Sequence, residues 1–285
     1  MASSLPRRIA VSAIGVPTAL GIVYLGGWFL VIALAALGVL GARELFQLAA
    51  LRGVRPLAVP GYLAAAAAPV ALYALTALST VRAIWIAYAA ILWLILVMAT
   101  ALARRSPSER PLAAVAITLF GAIYAGLFPA FAIAIRHGKV HATPWAATWL
   151  VFAPLVITWV CDTMAMAGGA LVGGPKCAPV VSPNKTWAGA VAGSASAALV
   201  GPLYGWLVLQ PQGISLGVVR LLVFGVVLSV LGQVGDLAES LFKREAGVKD
   251  SGTIFPGHGG VLDRLDSLYW VLPAAAAMLT LYGAL

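Results

Sequence analysis

Apolar residues run along this chain in long stretches, each closed by a short polar or glycine-containing break. The stretches fall at residues 9–25, 28–42, 57–79, 83–103, 112–135, 145–171, 187–210, 217–240 and 266–285. A helix rises 1.5 Å per residue, so about 20 residues cross a hydrocarbon layer of ~30 Å. The pattern predicts an all-α, polytopic integral membrane protein with about nine transmembrane helices. Gly26-Gly27 separates the first two runs and predicts a tight turn there. Arg7 and Arg8 precede the first run as they would in a secretory leader, but no small-x-small cleavage site follows directly, so this run is expected to stay as a span. Two regions are expected. Residues 1–140 hold about five spans, and residues 141–285 hold about four spans with the polar loops between them.

Composition agrees with the pattern: 62% of the 285 residues are hydrophobic and 9% charged, against roughly 25% charged in a soluble domain. The formal charge of +9 reflects orientation signals and anionic lipid in such a chain, and no nucleic-acid partner is implied. With nine spans, 14 of the 18 Lys and Arg fall on the side of the N-terminus. That side is therefore expected to be cytoplasmic, with the C-terminus outside, in a multi-pass protein of the cell (inner) membrane. Cys161 and Cys177 match neither a disulfide framework nor a zinc spacing.

Charge is unevenly placed. Asp162 stands in the sixth apolar run, and Asp236 and Glu239 in the eighth. An ionisable group at mid-membrane costs roughly 2.5 to 3.5 kcal/mol on insertion scales, so each needs a partner or a function. Gln233, Asp236, Glu239, Ser240 and Lys243 recur at helical spacing and share one face, expected to point into the bundle. Glu239 and Lys243 are also spaced as an i, i+4 ion pair. Beyond them, Lys249-Asp250-Ser251-Gly252 leads to Pro256-Gly257-His258-Gly259-Gly260-Val261-Leu262-Asp263-Arg264-Leu265-Asp266. Gly259, Gly260 and their neighbours let backbone N–H groups converge on an anion, with His258 and Arg264 as further donors. A second polar cluster, Ser182-Pro183-Asn184-Lys185-Thr186-Trp187, precedes the seventh run. It reads as a phosphate-contacting group or as an ordinary cap and turn. Cations at Lys185, Lys243, Arg244, Lys249 and Arg264 suit a polyanionic substrate, which Asp236, Asp263 and Asp266 would repel unless a divalent metal lay between. Mg2+ is the economical inference, with the number of ions open.

The run from Gly235-Asp236 to Lys243-Arg244, the Lys249-Asp250-Ser251-Gly252 segment and the stretch from Pro256 to Ser267 resemble the signature of phosphatidate cytidylyltransferases, also called CDP-diacylglycerol synthases. Ser182 to Trp187 is similar to that family's second polar stretch, and Cys161-Asp162-Thr163 to the helix before it. The chain departs from the usual pattern at Met164-Ala165-Met166, Asn184 and Ala188. The resemblance implies transfer of CMP from CTP to phosphatidic acid, giving CDP-diacylglycerol and pyrophosphate at the lipid bilayer, in a homodimer that requires Mg2+. It implies Asp236, Asp263 and Asp266 as metal ligands and catalytic groups, together with Lys243, Arg244 and His258. Substrate contacts would come from Ser182, Asn184, Lys185, Thr186, Lys249, Asp250, Gly259, Gly260 and Arg264. Two other readings are a CTP-dependent lipid-alcohol (polyprenol) kinase, which attacks the γ-phosphorus, and an ion-coupled transporter, which has no need of the Gly-His-Gly-Gly loop.

Overall fold

A computed structural model describes residues 4–78, 82–138, 143–255 and 259–285, with side chains from residue 13 onward. The protein is helical almost throughout. Helices α1 (Ser4–Leu25) and α2 (Gly27–Ala50) meet at Gly26 and Gly27, both at positive φ, where a side chain would be strained. α3 (Ala58–Tyr73) continues as a π-helical turn to Leu78, and α4 covers Ala83–Arg104. α5 (Pro111–Gly121) runs through a second π-helical turn into α6 (Phe128–Arg136). α7 covers Pro144–Val172. A hairpin of β1 (Lys176–Ala178) and β2 (Ser182–Thr186) leads into α8 (Trp187–Tyr204). α9 (Val218–Ala246), the short α10 (Leu262–Leu265) and α11 (Leu268–Leu281) complete the chain.

Among the described residues, seven helical segments are long and apolar enough to cross a membrane: 27–50, 58–78, 83–104, 111–136, 144–172, 187–212 and 218–246. The count of nine is not confirmed: among residues with described side chains α1 contributes the apolar stretch Ala13–Leu25, and α11 has 14 residues. Several spans also outrun their apolar stretches. α2 continues eight residues past Ala42 through Arg43, Glu44 and Gln47, because Glu44 finds donors inside the protein, as shown below. The β-hairpin was not expected. Its strands are three and five residues long and carry Pro183, too short and irregular for an alternating pattern to register.

The chain divides into two compact units, neither continuous in sequence. The first comprises Met1–Ala134 with Glu245–Arg264, the second Ile135–Arg244 with Leu265–Leu285. In the first, α2 packs on α3 and on the π-helical turn before α6, through small residues that let backbones approach. A Cβ on Gly38 would lie 3.1 Å from the Gly126 Cα, and one on Gly126 would lie 2.5 Å from the Ala65 Cα. The Phe46 ring lies over Gly61 and Gly121 and stacks on Tyr62 with centroids 5.5 Å apart. In the second unit, α8 presents Gly189, Gly193, Ala197 and Gly201 at four-residue spacing. Gly189 and Gly193 meet α7 at Ala165 and Cys161, while Gly201 meets α9 at Leu221. Lipid tails are as apolar as leucine, so close van der Waals packing through small residues holds such helices together.

A Cβ on Gly189 would sit 2.5 Å from the Ala165 carbonyl oxygen, a backbone atom that cannot swing away. We expect Gly189→Val to lower stability by about 1–3 kcal/mol, measured as a fall in the thermal midpoint of the purified protein in detergent. Leu199→Ala, on the exposed side of the same helix, should leave that midpoint nearly unchanged.

Candidate active site

Asp162 and Asp236 occupy the same place in two long helices of the second unit. Each is the nineteenth of 29 residues, in α7 and α9 respectively. A 29-residue helix is ~43 Å long, well over the ~30 Å hydrocarbon layer, and ten residues separate each carboxylate from the C-terminal end, or ~15 Å. The surplus length lets both carboxylates lie near a membrane boundary instead of the midplane. Asp236 Oδ2 accepts from Lys185 Nζ at 2.5 Å, an ion pair in which both side chains are about 30% exposed. The Asp236 charge also acts on Asp162 and on Asp266, which lies between α10 and α11. Asp266 Oδ1 accepts from the Ser267 N–H at 2.6 Å. Three carboxylates thus share one neighbourhood. Lys185 offsets charge at Asp162 and Asp236, and Lys243 acts on Asp266.

Below Asp236 on the same face of α9, Gln233 donates to Ser194 Oγ at 3.1 Å, and Ser229 donates to the same oxygen at 2.7 Å. Above it, Lys243 Nζ bonds Glu239 Oε1 at 3.1 Å, the i, i+4 pair read from the spacing, with both residues buried. Arg244 reaches from α9 to the Val181 carbonyl at the hairpin tip. The hairpin delivers Lys185 because β2 ends at Thr186, whose Oγ1 accepts from the Gly189 N–H at 3.1 Å and so caps α8. Ser182 is half-buried and Asn184 exposed on the same strand. One segment thus caps α8 through Thr186 and brings the Lys185 ammonium to Asp236.

The glycine-rich segment belongs to the first unit. Asp263 Oδ2 accepts from the Ser251 N–H at 2.8 Å, the Gly260 N–H at 2.9 Å and the Ser251 hydroxyl at 2.9 Å. Glu44 of α2 is 2% exposed and takes three further donors: the Val261 N–H on Oε1, and the Leu262 N–H and Ser251 hydroxyl on Oε2, at 2.8–2.9 Å. The convergent N–H groups of residues 260–262 thus meet carboxylates of the protein itself. Gly259, at φ 79, passes so close to Asp263 that a Cβ there would touch its carboxylate. Lys249, Asp250 and Arg264 are exposed. His258, with Pro256 and Gly257, lies outside the described residues.

Of the expected metal set, Asp236 and Asp266 lie in the second unit with Asp162, and Asp263 lies in the first. Among the described residues, no group of three or more His, Cys, Asp and Glu side chains is arranged as a metal-binding cluster. Sequence reasoning noticed Asp162 without assigning it a role, and it passed over Glu44. Glu44 carries the same signal as Asp162, a carboxylate in a largely apolar stretch, but it lies two residues beyond the end of the second apolar run.

A model of the cytidylyltransferase family matches residues 6–282. The chain belongs to the cytidylyltransferase family. Among its relatives, the phosphatidate cytidylyltransferase of Brucella abortus is 46% identical over 165 residues, covering 58% of this chain and 56% of that protein. That of Synechocystis sp. is 28% identical over 292 residues and 94% of each chain. Phosphatidate cytidylyltransferase 5, chloroplastic, of Arabidopsis thaliana is 33% identical over 288 residues, 92% of this chain and 69% of that one. The matched stretch is about half the length of the Brucella relative.

The buried Glu239–Lys243 pair gives a test within this family member. Removing one partner of a buried pair strands the other charge, at a cost of about 3–5 kcal/mol. We expect Lys243→Met to lose stability on that scale in chemical unfolding, and Glu239→Leu combined with Lys243→Met to regain most of it.

Proposed function

We propose that this protein transfers CMP from CTP to phosphatidic acid, forming CDP-diacylglycerol and pyrophosphate, as a step of phospholipid synthesis at the inner membrane. The observation that carries this reading is the Asp162, Asp236 and Asp266 neighbourhood with Lys185 on Asp236, in a chain of the cytidylyltransferase family. A phosphate oxygen of phosphatidic acid attacks the α-phosphorus of CTP; the new P–O bond forms as the bond to pyrophosphate breaks. That monoester is largely ionised at neutral pH, its second pKa being near ~6, so no strong general base is needed. The demand is alignment of two anions and neutralisation of charge at the α-phosphorus and on the leaving pyrophosphate.

Carboxylate oxygens are the donors a hard divalent cation prefers, and Asp236 and Asp266, with Asp162 beside them, fit Mg2+ in chemistry. Asp263 enters the same assignment through its Asp-Arg-x-Asp spacing with Asp266. When bound, Mg2+ would supply charge neutralisation between the carboxylates and the phosphates. Lys185 offers an ammonium to the phosphates beside Asp236, and Ser182, Asn184 and Thr186 add neutral polar groups on the same strand. Arg244, Lys249 and Arg264 complete the cationic set, with Lys243 acting through its buried pair. Asp250, Gly259 and Gly260 as substrate contacts and His258 as a catalytic group rest on the family resemblance alone. Counted over nine spans, the 14-to-4 cation bias supports a cytoplasmic N-terminus and cytoplasmic catalytic loops, where CTP is available, and an outside C-terminus; this orientation stands only with that count. We infer a homodimer as the working form from the resemblance alone.

The test is purified protein with phosphatidic acid in mixed micelles and CTP labelled at the α-phosphorus. Labelled CDP-lipid with pyrophosphate supports the proposal, whereas CDP with a newly phosphorylated lipid alcohol would replace it by a lipid-kinase reading. Asp236→Asn and Asp266→Asn should each lower kcat by about a hundredfold or more without loss of folded protein, and EDTA should stop turnover until Mg2+ is restored. Full activity in both variants would remove the carboxylate assignment.

A further inference from the structure

Glu44 is the single carboxylate of α2, buried and far in sequence from every motif described above. Among the described residues, its hydrogen bonds run to one segment, residues 251–262. It accepts from the Ser251 hydroxyl at 2.8 Å and from the N–H groups of Val261 and Leu262, each at 2.9 Å. Leu262 opens α10, the turn that carries Asp263, and Val261 immediately precedes it. The glycines around it are explained by its presence. A Cβ on Gly252 would lie 2.6 Å from Glu44 Oε1, and one on Gly260 would lie 2.5 Å from the carboxyl carbon. Both glycines have ordinary negative φ, so the requirement for glycine there is space for this carboxylate.

The contacts continue to Asp263. Ser251 Oγ lies 2.8 Å from Glu44 Oε2 and 2.9 Å from Asp263 Oδ2. One hydroxyl proton thus faces two acceptors, and backbone N–H groups hold each carboxylate whichever way it turns. Four backbone N–H groups, of Ser251, Gly260, Val261 and Leu262, are divided between the two carboxylates. This ties the two ends of the glycine-rich segment together and both to α2.

We propose that Glu44 is a positioning residue for the reaction: from the second helix it clamps the start and the end of the glycine-rich segment, and so fixes where Asp263 and the loop between are presented. Its contacts are with the protein's own loop, so it acts through Asp263 and not on the substrate directly. The catalytic consequence rests on the cytidylyltransferase reading; the clamping does not, so the two fail separately.

The experiment compares wild-type full-length protein, Glu44→Gln and Ser251→Ala in micelles by amide hydrogen exchange and by CTP turnover. Glu44→Gln keeps the shape but turns an amide N–H towards donors. Exchange of peptides covering 251–262 should speed up about tenfold or more, while peptides from α7 and α8 stay at wild-type rates. Ser251→Ala should give a smaller increase in the same peptides. Per folded molecule, kcat of Glu44→Gln should fall about a hundredfold, whereas a merely structural role would reduce the folded fraction and leave kcat per folded molecule intact. Unchanged exchange over 251–262 in Glu44→Gln overturns the clamp, as does wild-type kcat in a variant whose loop has loosened. Should Glu44→Gln unfold throughout, Ser251→Ala decides: faster exchange confined to 251–262 supports the clamp and none overturns it. If the wild type makes no CDP-lipid, the functional reading falls, and the exchange data alone still decide the clamp.

Discussion

Every distinctive feature of this protein follows from the need to give carboxylates partners inside an apolar helix bundle. An unpaired charge in such surroundings is too costly to persist, and the described carboxylates in the helical spans have answers of different kinds. Glu44 is surrounded by N–H and O–H donors, Glu239 has an ammonium one turn away, and Asp236 has Lys185 delivered by a hairpin from another part of the chain. Asp162 and Asp266 differ in facing the Asp236 charge as well. Fully answered groups make structure. Groups left with like charges beside them are where a cation and an anionic substrate gain most.

The packing that permits this comes from glycine and alanine. In the first unit Gly38, Gly126 and Ala65 bring backbones together, and in the second Gly189, Gly193 and Gly201 do so. Close backbone approach draws polar groups on neighbouring helices into hydrogen-bond range, as with Gln233, Ser194 and Ser229 between α8 and α9. The same small residues that substitute for a hydrophobic driving force in lipid therefore set the distances at the polar sites.

Helices longer than the bilayer matter in the same way. α7 and α9 hold Asp162 and Asp236 each ten residues from the helix end, which under the proposed reaction would be where a lipid phosphate and a water-soluble nucleotide meet. A chemistry joining one membrane-bound and one soluble anion needs this depth. In the proposed reaction a charge at the midplane would be out of reach of the nucleotide.

Much was legible in the order of residues alone. Apolar runs of span length dictate helices because a backbone in lipid must satisfy its own hydrogen bonds, and the polar groups clustered from Asp236 to Asp266 mark where chemistry is possible, since only function or pairing repays their insertion. The i, i+4 spacing of Glu239 and Lys243 was enough to foresee their pair. Other features were decided by tertiary structure, because they depend on which distant segments touch. Lys185 on Asp236 spans 51 residues, and Glu44 on Leu262 spans 218. Span lengths were misjudged for the same reason: a local hydropathy rule ends α2 at its first charges, while the folded chain continues it to Ala50 because donors from residues 251, 261 and 262 are waiting for Glu44.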